Sequence, residues 1–371
     1  MNAPRIIIAG GGTGGHIFPA VAIGHALQRV APGTELLFVG ARGKMEMEKV
    51  PQEGFKIVGL DIAGMNRSSL LKNLLLPYKL LKSIWEAWKI IRDFRPDAVV
   101  GVGGYASFPI LKAAQQMDIP TFIQEQNSHA GKSNKILGTK AKSVCVAYEG
   151  MDRFFPKNTL QITGNPVRQL ISGATISHEE GCAFFGLSPQ KKTLLVVGGS
   201  LGAKSVNEAM MAALPALNKK GLQVLWQTGK SNHAEAVAAA APYGESVVVK
   251  EFIREMDAAY AAADLVVSRA GALAIAELCI VAKPVIFVPY PHAAEDHQSS
   301  NARALVQKGA ARLVPDARVK EELLPEILSL LGNKGEMEKM HRALSALAIR
   351  DADERIARQI VSLVKPEAVA L

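Results

Sequence analysis

Ile6-Ile7-Ile8-Ala9-Gly10-Gly11-Gly12-Thr13-Gly14-Gly15-His16 is an apolar strand that runs straight into a turn with five glycines in the six positions from 10 to 15. Without a Cβ, such a turn lets backbone N–H groups approach a bound anion, and a helix starting behind it adds partial positive charge. A phosphorylated group is expected to dock there. The glycine spacing is not the usual dinucleotide fingerprint. The second half opens in the same way, with Leu194-Leu195-Val196-Val197 leading into Gly198-Gly199-Ser200-Leu201-Gly202.

Outward from these two openings, short apolar runs alternate with helical stretches. The expected strands are 5–9, 35–39, 56–60, 98–102, 121–124, 143–146 and 160–163, then 193–197, 223–227, 246–249, 265–268, 284–288 and 311–314. Apolar strands separated by helices imply parallel sheets covered on both faces. A turn-rich segment, Thr163-Gly164-Asn165-Pro166-Val167-Arg168, interrupts the rhythm. The expected architecture is α/β, with two Rossmann-like doubly wound parallel-sheet domains facing a cleft. Their ranges are 1–163 and 164–340, the tail from Glu336 to Val364 reads as helix, and a C-terminal helical segment, 341–371, crosses back onto the first domain. Ligands of such sheets bind at the carboxyl ends of the strands.

The 371 residues, 49% of them hydrophobic, suffice for two cores. Cys145, Cys182 and Cys279 are far apart in apolar or mixed segments, which favours buried free thiols and a reducing compartment. The first apolar run is too short for a secretory leader, and the longest apolar stretch, 270–289, carries Glu277, Lys283 and Pro284, against a membrane span. A net charge of +9 suits an anionic partner. With 6% aromatic residues not interleaved with the basic ones, a nucleic-acid stacking platform is not expected.

Gly198-Gly199-Ser200-Leu201-Gly202-Ala203-Lys204-Ser205 misses the P-loop pattern at Ala203, and no strand ends in an Asp that could hold magnesium. A kinase or ATPase is disfavoured. Ser268-Arg269-Ala270-Gly271 follows a strand and enters a helix, so the amides of Ala272 and Leu273 face a diphosphate and Glu277, further along, suits ribose hydroxyls. His16 stands where a near-neutral base is useful. Gly103-Gly104-Tyr105 and Gln124-Glu125-Gln126-Asn127 end two further strands and are expected to meet ligand. Between Asn66 and Arg95, Leu75, Leu80, Ile84, Trp85 and Trp88 are too many for one core stripe. With Lys72 and Lys82 flanking them, they read as a surface for anionic lipid. A nicotinamide oxidoreductase would need an acidic residue after the second strand, and Val39-Gly40-Ala41-Arg42-Gly43 offers none.

Taken together and in order, these motifs resemble the bacterial peptidoglycan glycosyltransferases of glycosyltransferase family 28. The match runs through Gly11–His16, Gly103–Ser107, Glu125–Asn127, Gly164–Arg168, Gly198–Ala203, Ser268–Ala272, and Asp296-His297-Gln298 with Asn301-Ala302. The resemblance implies a GT-B inverting enzyme that moves N-acetylglucosamine from UDP-GlcNAc to the C4 hydroxyl of undecaprenyl-pyrophosphoryl-MurNAc-pentapeptide. A related lipid glycosyltransferase with a diacylglycerol or other prenyl acceptor is the alternative.

By that resemblance, Ser200 and the amides of Ala272 and Leu273, with Ala274, Ile275 and Ala276 beside them, hold the donor diphosphate. Ile253 meets the uracil through its backbone, Arg168 lies near the base, Glu277 takes the ribose, and Gln298, Asn301 and Asn127 contact the sugar. Thr13, Gly14 and Gly15 face the acceptor diphosphate and count among the donor-binding residues, and Gly11, Gly12, Gly103, Gly104 and Tyr105 face the acceptor. Gln124 replaces a His common in the family, leaving His16 and Glu125 as the alternatives for the base. No obvious Asp-X-Asp metal motif stands at the end of an expected strand, so no cofactor is expected to be obligatory and a divalent cation enters at most as a stimulant. The resemblance also implies a peripheral enzyme on the cytoplasmic face of the bacterial inner membrane, with other cell-wall synthesis proteins as partners.

Overall fold

The computed structural model describes residues 3–62, 76–199, 201–293 and 296–366. Two compact units emerge, one formed by Met1–Arg168 with Asp351–Leu371 and the other by Gln169–Arg350.

In unit 1 the chain alternates β1 Arg5–Ala9, α1 Gly14–Val30, β2 Glu35–Ala41, α2 Glu46–Gln52, β3 Ile57–Leu60 and α3 Leu76–Phe94. It continues through β4 Ala98–Gly101, α4 Ser107–Gln116, β5 Thr121–Glu125, α5 Lys132–Gly138, β6 Ser143–Val146 and β7 Leu160–Ile162. Among the described residues the sheet is parallel and seven-stranded, in the order β3-β2-β1-β4-β5-β6-β7. Successive side chains of a strand point to opposite faces, so a strand covered on both sides must be apolar throughout. In β1, Ile6 and Ile8 pack into one core with α1, while Ile7 and Ala9 pack into the other with Ala87, Ile91 and Ile110.

Unit 2 runs α6 Gln169–Ser172, α7 His178–Phe184, β8 Thr193–Val197, α8 Lys204–Lys219, β9 Gln223–Gln227, α9 His233–Ala240, β10 Val247–Lys250, α10 Met256–Ala262 and β11 Leu265–Ser268. It closes with α11 Ala272–Val281, β12 Val285–Phe287, α12 His297–Gln307, β13 Arg312–Leu313, α13 Val319–Gly332 and α14 Lys334–Leu347. Its six described strands are parallel, in the order β10-β9-β8-β11-β12-β13. Both sheets therefore reverse their winding beside the first strand of the unit, between β1 and β4 and between β8 and β11, where open α/β sheets bind ligands. The expected strands all occur, displaced by at most a residue or two at their ends.

The first unit runs to Arg168 and takes up the chain again at Asp351. The first unit extends past 163 to Arg168 because Asn165 bonds with Gln124 and Gln126 of the β5 end, and the Arg168 guanidinium lies 5.0 Å from the centre of the Phe18 ring. The segment read as one helix from Glu336 is broken after Leu347, where Ala348 takes an extended conformation. Beyond the break, α15 Ala352–Val364 inserts Ile356, Ala357, Ile360 and Val361 into the α1 core of unit 1. Arg29 pairs with Asp353 at 2.6 Å and Lys365 with Asp97 at 2.9 Å, fixing this helix along its length.

All three cysteines are buried free thiols. Burial pushes the thiols of Cys145 and Cys279 up to about 12 and raises that of Cys182. Because the thiolate is the reactive species, maleimide at neutral pH is expected to leave all three unmodified in the native protein and to label them after denaturation. Rapid labelling of the folded chain, read by mass spectrometry, would contradict this burial.

Candidate active site

At the β1/β4 switch point of unit 1 two glycine turns touch. A Cβ on Gly104, which has φ +80°, would stand 2.3 Å from the Gly11 carbonyl oxygen, so only glycine fits both the backbone conformation and the space. The Tyr105 ring lies against Gly12, and burial, followed by the Glu46 charge, raises its phenol pKa. His16, in the first turn of α1, is half-buried, with Nδ1 3.2 Å from the Gly11 carbonyl oxygen and 3.3 Å from Thr13 Oγ1. A carbonyl only accepts, so that bond places the proton on Nδ1 and the lone pair on Nε2. Nε2 would lie 3.0 Å from a Cβ on Gly103, so the imidazole edge is held over the β4 turn. The structure thus gathers Gly11, Gly12, Thr13, Gly14, Gly15, His16, Gly103, Gly104 and Tyr105 at one sheet end.

The polar run at the end of β5 is turned inward. Gln124, Glu125 and Gln126 are buried and bonded within the protein. Glu125 is 2% exposed; its Oε1 accepts from the Asn127 amide at 3.1 Å, and its Oε2 accepts from the Gly131 amide at 3.0 Å and Asn134 Nδ2 at 2.8 Å. A carboxylate so engaged braces the loop leading to α5, and its oxygens are committed as acceptors. Gln126 donates to the Val102 carbonyl at 2.7 Å and to Gln124, tying β5 to the β4 turn. Asn127 alone in this run is half-exposed.

In unit 2 the β8/β11 switch point carries the other turn expected to meet phosphate. Gly271 caps α11 in an extended conformation, and the first helical bond runs from the Ile275 amide to the Gly271 carbonyl at 3.0 Å. The amides of Ala272, Leu273 and Ala274 precede that bond, where the helix dipole is positive. Ile275 and Ala276 lie beyond it, so their amides serve the helix, and the Ile275 side chain is buried. Glu277 is half-buried, and its Oε2 accepts from the Tyr260 hydroxyl at 2.9 Å. Arg269 anchors the turn from behind, donating to Asp316 at 2.5 Å, to the Val288 carbonyl at 3.0 Å and to Ser205 at 3.1 Å.

The buried Ile253 donates its amide to Gln227 Oε1 at 2.8 Å, while Gln227 Nε2 donates to the Gly199 carbonyl at 3.0 Å. One side chain therefore spans the loop after β8 and the loop after β10, and of the Ile253 backbone polar groups the amide is already engaged. In α12, Gln298 accepts from the Tyr290 amide at 2.9 Å, and Asn301 is buried. Arg168 belongs to unit 1, stacked on Phe18. Ser200, Leu75 and Lys72 lie outside the described residues.

Sequence reasoning missed Glu46, Gln227, Tyr260 and Asp316. Each is a polar residue on an element remote in sequence from the glycine turns, and only strand order brings it to them.

Residues 6–146 match the glycosyltransferase family 28 N-terminal domain and residues 193–356 its C-terminal domain. The chain is 52% identical over 361 residues to the UDP-N-acetylglucosamine--N-acetylmuramyl-(pentapeptide) pyrophosphoryl-undecaprenol N-acetylglucosamine transferase of Phocaeicola vulgatus, covering 97% of this chain and 96% of that protein. It is 49% identical over 367 residues to the protein of that name from Bacteroides fragilis, with 98% and 97% covered. Among solved structures, MurG of Acinetobacter baumannii superimposes with a TM-score of 0.75 at 29% identity, over 98% of this chain and 99% of that one. With both of its domains in order and full-length relatives near half identity, the chain belongs to glycosyltransferase family 28, among these N-acetylglucosamine transferases.

Proposed function

We propose that this protein transfers N-acetylglucosamine from UDP-GlcNAc to the C4 hydroxyl of undecaprenyl-pyrophosphoryl-MurNAc-pentapeptide in peptidoglycan synthesis. The observation that carries the reading is the pair of switch points, each with a glycine turn and a helix start, in a chain so close to named transferases of that reaction. The donor binds unit 2, with its diphosphate at the start of α11 and its ribose on Glu277, and the acceptor diphosphate meets the glycine turns of unit 1. His16 Nε2 takes the C4 hydroxyl proton as that oxygen attacks the anomeric carbon. The bond from that carbon to the UDP oxygen breaks with inversion, and the Ala272–Ala274 amides stabilise the charge on departing UDP. His16 is preferred over Glu125 because the Glu125 oxygens are committed inside the protein.

UDP release, measured against a panel of acceptors, tests the reading. Turnover should require the prenyl-pyrophosphoryl-MurNAc-peptide, and equal turnover with diacylglycerol would favour the related lipid glycosyltransferases instead.

Attachment to a membrane surface belongs to the same proposal. No described helix is long and apolar enough to cross a membrane. Along α3, Tyr78, Leu81, Trp85 and Trp88 recur at helical spacing and are exposed, Leu81 and Trp85 by 70% and 69%, while Ser83, Ala87 and Ile91 face the core. An apolar, aromatic stripe of this kind marks an interaction face. Leu80 and Ile84, expected on this surface, are half-buried. Lys82 pairs with Asp61 at 2.7 Å, which lowers the Asp61 carboxyl and raises the Lys82 ammonium. Its charge is thereby partly spent on the protein. Changing Leu81 and Trp85 to serine should weaken binding to anionic liposomes about 100-fold or more, since each buried apolar side chain contributes about 1.5–3 kcal/mol. Unchanged liposome binding would remove this stripe from the membrane contact.

A further inference from the structure

Behind the glycine turn of unit 1 lies a carboxylate that the mechanism above does not use. Glu46, the first residue of α2, is 0% exposed. Its Oε1 accepts from the Ala41 amide at 2.9 Å, and its Oε2 accepts from the Gly12 amide at 3.0 Å. The chain makes room for it, because a Cβ on Gly11 would stand 2.2 Å from Glu46 Oε1 and one on Gly40 would stand 2.5 Å from its Cγ. Taking a carboxylate out of water is costly unless it is hydrogen-bonded, and placing one behind a loop meant for phosphates works against phosphate binding. Merely capping two amides would not need a charge.

The Gly12 N–H and the Gly11 C=O are the two ends of one peptide group. At one end that group donates to Glu46 Oε2, and at the other it accepts from His16 Nδ1 at 3.2 Å. Hydrogen bonds in series polarise one another. A negative charge on the N–H end pushes electron density onto the carbonyl oxygen, which then holds the Nδ1 proton more strongly. We propose that Glu46 is a positioning residue that acts through the Gly11–Gly12 peptide to fix the His16 tautomer and to favour the imidazolium formed when Nε2 takes the acceptor proton. The chain carboxylate–peptide–imidazole performs the task that a carboxylate bonded directly to histidine performs in other enzymes. This assignment rests on His16 being the base.

Other titratable or charged groups surround the pair. From the β4 turn, Tyr105 lies against Gly12 and interacts with the Glu46 charge. At the end of β5, Glu125 is bonded away into the 127–134 loop, and beyond β7 Arg168 stacks on Phe18 of α1. From the β2 end, Arg42 donates to the Gly59 carbonyl. None of these bonds runs through the Gly11–Gly12 peptide, so neutralising Glu46 isolates its contribution.

The test is Glu46→Gln in the full chain, followed by NMR of the His16 ring nitrogens and by the pH profile of kcat. Removing the negative charge disfavours imidazolium, so His16 should titrate at lower pH, by about 0.5–1 pH unit, and the Nδ1–H tautomer should lose population. The acid limb of the kcat profile should move down with it, at a plateau lowered about tenfold or more, with the KM for UDP-GlcNAc little changed. An unaltered His16 titration and tautomer in folded Glu46→Gln would overturn the relay whatever the base is. A shifted titration with an unshifted kcat profile would uphold the coupling and overturn the assignment of His16 as base. Should the variant not fold, the unaltered protein decides: the Gly12 amide resonance should follow the His16 titration, and an amide indifferent to it would sink the proposal.

Discussion

Replacing His16 by alanine is expected to lower kcat by about 10²–10⁴-fold, the loss typical of a missing general base. The expectation follows from the imidazole geometry. Nδ1 is bonded to the Gly11 carbonyl, so the lone pair is on Nε2, and the ring is held over the Gly103 turn at the sheet switch point. UDP affinity should persist, because the α11 amides proposed to hold the diphosphate belong to unit 2. Single-turnover transfer to a short-chain prenyl acceptor, with isothermal calorimetry of UDP as the control, measures both. Near-normal turnover in the alanine variant would remove His16 from the chemistry. Glu125 would be a poor replacement, because buried acceptors bound to Gly131 and Asn134 must first be released.

Glu277→Ala is expected to weaken UDP and UDP-GlcNAc binding by about 1.5–3 kcal/mol, the range for hydrogen bonds to a charged group. That corresponds to about 10–150-fold in Kd. The Tyr260 hydroxyl holds Glu277 Oε2 at 2.9 Å, so Tyr260→Phe should give a smaller loss, about 0.5–1.5 kcal/mol, by loosening the carboxylate while leaving it in place. Calorimetry on both variants separates the contributions. Unchanged UDP affinity in folded Glu277→Ala would exclude the ribose role.

The strands were legible because each is a short apolar run closed by glycine or polar residues, and burial on both faces of a parallel sheet enforces that pattern. Both glycine turns, and the entry into α11 at Gly271, were legible for a similar reason. A turn that brings backbone amides to an anion must shed its side chains, which leaves a mark in the sequence itself. Local pattern did not reveal that Gln124, Gln126 and Asn165 at the β5 end bond to one another. Polarity alone does not tell a buried network from a ligand contact. The break at Ala348 was likewise invisible, since 336–364 carries no proline or glycine between Glu336 and Val364 to mark a helix end.

The sequence by itself determined the fold class, the succession of strands and helices, and the positions of the glycine turns. These depend on neighbours along the chain, through side-chain alternation, the absence of Cβ and helix starts. Tertiary structure alone decided which groups stand behind those turns: Glu46 under Gly11 and Gly12, Gln227 between the Gly199 and Ile253 loops, Tyr260 on Glu277, and α15 in the core of the first unit. Those contacts join residues distant in sequence, and their partners are set by the strand orders β3-β2-β1-β4 and β10-β9-β8-β11, a consequence of how crossover helices pack on a twisted sheet.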